Sequence, residues 1–288
     1  MKIIRSINQM QEFALRAAAS QKTIGFVPTM GALHQGHLSL IRQARKDNDL
    51  TVVSIFVNPA QFGPREDFKK YPRVFKRDAA FCKKEGVDVI FYPQAKAMYP
   101  DNYQAYVNVE DLSSRLCGKP RLGHFRGVAT VVSKLFNIVR PNSAYFGQKD
   151  AQQSVIVKRL ASDLNFPVKI KVMPIVREVD GLAMSSRNRY LNQKERRDAL
   201  VLYKALRLAQ HLIKSGLKDS SRIILRMRQL ISKKRRAKID YTAIVDAQTL
   251  EPIKKIKAGC LIALAVYIGK TRLIDNIVIE LKSVNRNP

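Results

Sequence analysis

Two imidazoles, three residues apart, offer the first chemistry in this chain. The stretch TMGALHQGH at 29–37 carries His34 and His37 around Gly36, directly after a short apolar run at 22–27. Side chains at i and i+3 share one face of a helix. Gly31 and Gly36 let a backbone approach a ligand closely. The first turn of a helix presents unpaired N–H groups and the positive end of its dipole, which attract phosphate. The same dipole end lowers the pKa of an imidazole, favouring neutral N–H donors. A metal site is a second reading, and it needs a third ligand and an outer shell. The candidate acids, Glu66, Asp67 and Asp78, belong to other segments. A glycine-rich turn that merely contains histidines is the third reading.

Three further stretches carry groups suited to anions and small polar molecules. MSSRN at 184–188 supplies the hydroxyls of Ser185 and Ser186 and the guanidinium fork of Arg187, which matches phosphate. A helix cap is the bland alternative. FVNPAQFG at 56–63 supplies Gln61, and FGQKDAQQ at 146–153 supplies Gln153. Neutral amides offer donors and an acceptor to hydroxyls and a carboxylate, although either glutamine could simply sit in a surface turn. Lys149 is a mobile point charge. Asp150 can hold a ribose hydroxyl or cap the helix that starts there.

These groups need a scaffold, and the chain alternates strand and helix signals through its first half. The opening residues read as a short strand and an amphipathic helix. Further strands are expected at 22–27, 50–57, 87–92, 143–146 and 168–176, with helices at 38–45, 74–85, 125–139 and 151–164. The run at 50–57 is β-branched and apolar on both faces, as a buried parallel strand requires. This rhythm predicts a Rossmann-like parallel α/β domain over 1–177. His34, Gln61 and Lys149 then follow the carboxyl ends of strands, where open α/β sheets bind ligands. Beyond it the character changes to two amphipathic helices at 193–215 and 220–234 and strands at 240–246, 261–268 and 273–281. That pattern predicts a smaller α+β C-terminal domain over 178–288.

Composition narrows the class. Three cysteines without close spacing fit neither a disulfide framework nor a zinc ribbon. The first twenty residues lack a signal-peptide core, and the apolar run at 261–268 is too short to cross a bilayer. A cytoplasmic protein is expected. The net charge of +29 favours polyanions. The charges are nevertheless spread along the chain, as a general basic bias would leave them.

His-x-Gly-His after a first strand resembles the nucleotidyltransferase superfamily that includes class I aminoacyl-tRNA synthetases. In order along the chain, PTMGALHQGH, FVNPAQFG, YPR at 71–73, HFRGVATVVSKLFNIVRP from His124, FGQKDAQQ and REVDGLAMSSRNRYL from Arg177 are similar to the pantothenate synthetase family. The resemblance implies condensation of pantoate with β-alanine at the expense of ATP, through a pantoyl adenylate, with release of AMP and pyrophosphate. It places Met30 and Gly31 beside the nucleotide, with His34 and His37 on its phosphates and His37 as the acid. Gly147, Gln148, Lys149 and Asp150 would line the ribose and phosphates, and Val176 would touch the adenine. Met184, Ser185, Ser186 and Arg187 would close over the triphosphate, while Gln61 and Gln153 would hold pantoate. Charge stabilisation would rest on His34, His37, Lys149 and Arg187. Magnesium is implied, with Asp78 at a matching acidic position, and so is a homodimer. The loop at 63–71, the MSSRN junction and the C-terminal domain are the expected lid. Gln35, Gln148, Ala60 and the high charge depart from the family's usual residues. The rival reading is a synthetase-like adenylating enzyme that acts on RNA.

Overall fold

The computed structural model describes residues 1–64 and 66–280. Arg65 in the expected lid loop and Leu281 at the end of the last expected strand lie outside the described residues. The chain forms two compact units. The first comprises Met1–Ser114, Gly118–Gln148 and Ile156–Val176, and the second Arg115–Cys117, Lys149–Val155 and Arg177–Pro288.

The first unit is built on six parallel strands: β1 (Lys2–Ile4), β2 (Ile24–Thr29), β3 (Leu50–Ile55), β4 (Val89–Phe91), β5 (Ser143–Gly147) and β6 (Lys169–Met173). Their order is β1-β4-β3-β2-β5-β6. The intervening helices are α1 (Ile7–Ala19), α2 (Gln35–Asp47), α3 (Phe75–Lys84), the short α4 (Ala95–Met98) and α5 (Glu110–Ser113), α6 (His124–Val139) and α7 (Ala151–Asp163), of which α7 counts to this unit from Ile156 onward. Parallel strands with both faces covered must be apolar on both, and Phe26, Val27, Val52, Val53 and Ile90 are all fully buried.

The strand order reverses at β2. Successive strands β3 and β4 lie to one side of it, and β5 and β6 to the other. Strands β2 and β3 pair along their full length, but β2 and β5 pair only at Gly25–Ser143 and Phe26–Ala144. Their carboxyl halves are unpaired at the switch point, where such sheets take ligands. Pro28 sits in this unpaired half, where its missing N–H costs no bond to β5; the apolar run had suggested an end at Val27. At the far end, Pro174 stops β6 at Met173, short of the expected 176. The tail of α2 is tied to β5 and β6. Asp47 accepts from Lys171 Nζ at 2.7 Å and from Tyr145 Oη at 2.9 Å. The Lys171 bond is the main reason its carboxyl falls to about 2.

The second unit carries an antiparallel sheet of β7 (Ala237–Val245), β8 (Cys260–Ile268) and β9 (Thr271–Ile279), in that order. Alternate residues of β8, including Ile262, Leu264 and Val266, share one buried cluster with Leu202 and Leu206 of α9 (Val201–Lys214) and Ile223 and Met227 of α10 (Ser220–Ser232). The helix expected over 193–215 divides into α8 (Gln193–Ala199) and α9, because Leu200, at ψ −17°, opens the turn between them. Among the described residues no helix is long and apolar enough to cross a membrane.

Candidate active site

The loop after β2 is a constrained turn. Gly31 and Ala32 both have positive φ, 82° and 52°, and for alanine that conformation costs on the order of 1 kcal/mol. Asp78 of α3 holds it in place. Its carboxylate accepts from Ala32 N at 2.7 Å and Leu33 N at 2.9 Å. Thr29 Oγ1 adds a bond to Ser54 O and accepts from Gly31 N. This turn delivers His34 to the N-cap of α2.

There the two histidines cap the helix reciprocally. His34 Nδ1 accepts from Gly36 N at 3.2 Å, and His37 Nδ1 accepts from His34 N at 3.4 Å. Histidine thus plays both parts of a capping box that serine and glutamate commonly fill. The rings lie 4.1 Å apart between centroids. An Nδ1 that accepts from an amide carries no proton, so each neutral ring bears its N–H at Nε2. The fold thereby fixes two imidazole tautomers at the head of a helix.

Gln61 ends a single 3₁₀ turn, Pro59–Gln61, after β3. Asn58 caps that turn, and its Nδ2 donates to Gln61 Oε1 and Gly127 O, both at 3.1 Å. Gln61 Nε2 donates to Met30 Sδ at 3.0 Å. Behind it, His124 Nδ1 donates to Gln61 O at 2.7 Å, and Arg121 Nη1 donates to His124 Nε2 at 2.9 Å. Because arginine only donates, His124 here is neutral with its proton on Nδ1. Arg121 also makes a two-pronged ion pair with Glu66 of the loop at 63–71, at 2.6 and 2.7 Å. Gly127 permits the close approach of α6, since a Cβ there would meet Ala60 O and the Gln61 backbone. At the end of β5, a Cβ on Gly147 meets nothing within 4 Å. Among the described residues, no side chain or backbone would therefore meet a Cβ at that position. Val176 is half-buried beyond Pro174.

The second unit holds the remaining site residues of the sequence reading. Lys149 is half-buried and its carbonyl accepts from Asn276 Nδ2 at 2.9 Å. Asp150 is exposed and Gln153 half-buried. The neighbouring Gln152 is buried, spanning Cys117 N and Arg115 O. The residues Met184, Ser185, Ser186 and Arg187 follow a small hairpin bridged at Arg177–Ala183. Ser185 Oγ accepts from Arg187 N, so the hydroxyl caps the 3₁₀ turn Ser186–Tyr190. Asn188 reaches Glu178 and Ala183 O, and Arg196 clamps Glu178 and Asp180 at 2.7 Å. The bond from Arg196 holds the Glu178 carboxyl below the ordinary glutamate range.

A magnesium site would need free carboxylate oxygens close together. Asp78 is 1% exposed and its two oxygens are committed to the backbone of the turn. Among the described residues no group of three or more His, Cys, Asp or Glu could hold a metal ion. As placed, Asp78 spends both oxygens on the turn, and among the described residues no third ligand joins the histidine pair for zinc.

The family model for pantoate–β-alanine ligase matches residues 2–278. The chain belongs to the pantoate–β-alanine ligase family. The pantothenate synthetase of Caldicellulosiruptor bescii is 55% identical over 98% of this chain and 100% of that protein. The one from Fervidobacterium nodosum is 56% identical over 97% of this chain. Among solved structures, the pantothenate synthetase of Thermus thermophilus superposes with a TM-score of 0.91 at 42% identity, covering 96% of this chain and 99% of that one. The ligase from Francisella tularensis, complexed with β,γ-ATP and β-alanine, gives 0.79 at 37% identity, covering 96% and 97%. Membership of the ligase family favours the small-molecule reading over the RNA-acting one. The sequence reading did not single out Asn58 and Arg121, which hold Gln61 and its loop, nor Asp275 and Asn276, which bond Arg177 and the Lys149 carbonyl. Asn58-Pro59 does signal a capped turn, and Asp275-Asn276 interrupts an apolar strand run, which is a visible oddity.

Proposed function

We infer that this chain is an AMP-forming ligase that condenses pantoate with β-alanine, using ATP and passing through a pantoyl adenylate. The observation that carries the chemistry is the reciprocal cap of His34 and His37 at the head of α2, in a chain that matches the ligase family over residues 2–278. The pantoate carboxylate attacks the α-phosphorus in line, so no protein nucleophile is needed. Charge grows on the phosphoryl oxygens and the departing pyrophosphate. Fixed Nε2–H donors at His34 and His37 cost no reorganisation as that charge develops. Lys149 and Arg187 add positive charge to the β- and γ-phosphates, with Ser185 and Ser186 as hydroxyl donors and Met184 closing the segment. The sequence reading made His37 the acid; with its Nδ1 accepting from an amide, the ring donates an Nε2–H hydrogen bond to the departing pyrophosphate and keeps its proton.

Gln61, with both ends of its amide oriented by Asn58 and Met30, holds pantoate together with Gln153. Gly147, Gln148 and Asp150 take the ribose and phosphates, Met30 and Gly31 lie beside the nucleotide, and Val176 contacts the adenine. The open space around Gly147 suits that role. Magnesium brought in with ATP would help neutralise the triphosphate charge. β-Alanine is then held near the acyl carbon, where proximity drives the second step. A cytoplasmic homodimer completes the reading.

The test is formation of AMP and pyrophosphate by the purified chain. Sustained turnover should require both pantoate and β-alanine, and turnover indifferent to either one overturns the reading. Light scattering on the same sample decides the homodimer.

A further inference from the structure

We propose that Asp275 and Asn276, neighbours on β9, are positioning residues for the adenylation step, each holding one of the segments that grip phosphate. The inference rests on the reading of Lys149 and Met184–Arg187 as phosphate-binding. Successive strand residues point to opposite faces of a sheet, so one dipeptide can serve both faces of β7–β9.

Asp275 lies opposite Leu264, a member of the cluster beneath α9 and α10, and Asn276 lies opposite Ala263. On the helix-covered face, the Asp275 carboxylate makes a two-pronged pair with Arg177 at 2.7 and 2.9 Å. Arg177 is further fixed by a bond to Gly181 O and by stacking 4.0 Å above the Tyr203 ring. It is also one strand residue of the hairpin that leads into Met184–Arg187. On the other face, the small side chain of Ala263 leaves room, and Asn276 Nδ2 reaches the Lys149 carbonyl at 2.9 Å.

Both polar residues are about 2–3% exposed. Burial of such groups is costly unless they are bonded, and an apolar pair would have served the core better. Their placement makes sense if the backbone at Lys149 and the start of the 177–187 hairpin must be held to within fractions of an ångström. A shift of about 1 Å in a charge-stabilising group can cost roughly 10²-fold in rate.

The experiment is a double-mutant cycle on single-turnover adenylation, read as pyrophosphate release with ATP and pantoate and without β-alanine. Asn276→Ala should slow that step about 10- to 100-fold, with the KM for pantoate changed less than about twofold and the melting temperature within a few degrees. Asn276→Asp, which keeps the volume and removes the donor, should behave alike and serves if the alanine variant does not fold. In a Lys149→Ala background, Asn276→Ala should cause little further loss, because its effect passes through Lys149. A merely structural role would instead give multiplying losses or a lowered melting temperature without a rate effect, and either overturns the proposal. Asp275→Asn paired with Arg187→Ala is the matching cycle for the other face. If Lys149→Ala alone adenylates at the wild-type rate, the underlying reading of the site is wrong. If Lys149→Ala is slow but Asn276→Ala is normal, only the present inference fails.

Discussion

In the proposed function the histidine pair couples folding to chemistry through a single hydrogen-bond pattern. Each Nδ1 accepts from a backbone amide, which caps α2 and puts the proton of the neutral ring on Nε2. Capping and catalysis can therefore be separated. His34→Asn keeps an oxygen acceptor favoured at N-caps but removes the Nε2 donor. It should leave the melting temperature nearly unchanged while slowing adenylation by roughly 10²–10³, the usual loss for one transition-state donor. Single-turnover adenylation at the wild-type rate would remove the histidine from the mechanism. The motif itself was legible, because types and spacing sit within nine residues. The role of Asp78 was not, since the amides it holds are 45 and 46 positions away in sequence. The carboxylate at that acidic position props up the strained turn at Ala32.

At the scale of elements, two anchors hold surface segments, one in each unit. The ion pair of Glu66 with Arg121 pins the described part of the loop at 63–71 to the head of α6, where His124 contacts Gln61. A pantoyl adenylate hydrolyses if water reaches it. Glu66→Gln should therefore loosen the loop and raise the ratio of AMP to pantothenate above one, measured at saturating β-alanine; a ratio still at one would deny the loop a shielding role. The second anchor is Arg196 on Glu178 and Asp180. Because the folded pKa of Glu178 lies below its unfolded value, its contribution is present above about pH 4.3 and is lost as pH falls below that. Hydrogen exchange should show the 177–188 hairpin opening in that acid range before the rest of its unit, and Arg196→Ala should open it at neutral pH. Uniform protection in both cases would refute the anchor. Strand and helix identities were legible from periodicity; their ends were not. Pro28 stays inside β2 because β5 no longer pairs with it there, and Leu200 breaks a helix with neither glycine nor proline to announce it.

At the scale of the whole molecule, the order of motifs was the most readable feature, since it follows the chain and needs no knowledge of packing. The excess of cations was the least readable. Fifty-two Lys and Arg against 23 Asp and Glu should create a positive field that draws in ATP, and equally any polyanion. Field and specific recognition differ in their response to salt. Binding through phosphate charge alone weakens by about 10³-fold or more between 50 and 200 mM salt when several contacts are involved. A short single-stranded RNA should therefore bind at about 50 mM NaCl and be released by about 200 mM. Adenylation should fall far less over the same range, because the donors proposed for it are held by the fold and only exposed charges are screened within about 10 Å at 0.1 M. Nanomolar RNA affinity that survives physiological salt would mean that the basic surface reads a nucleic acid, and would revive the RNA-acting alternative.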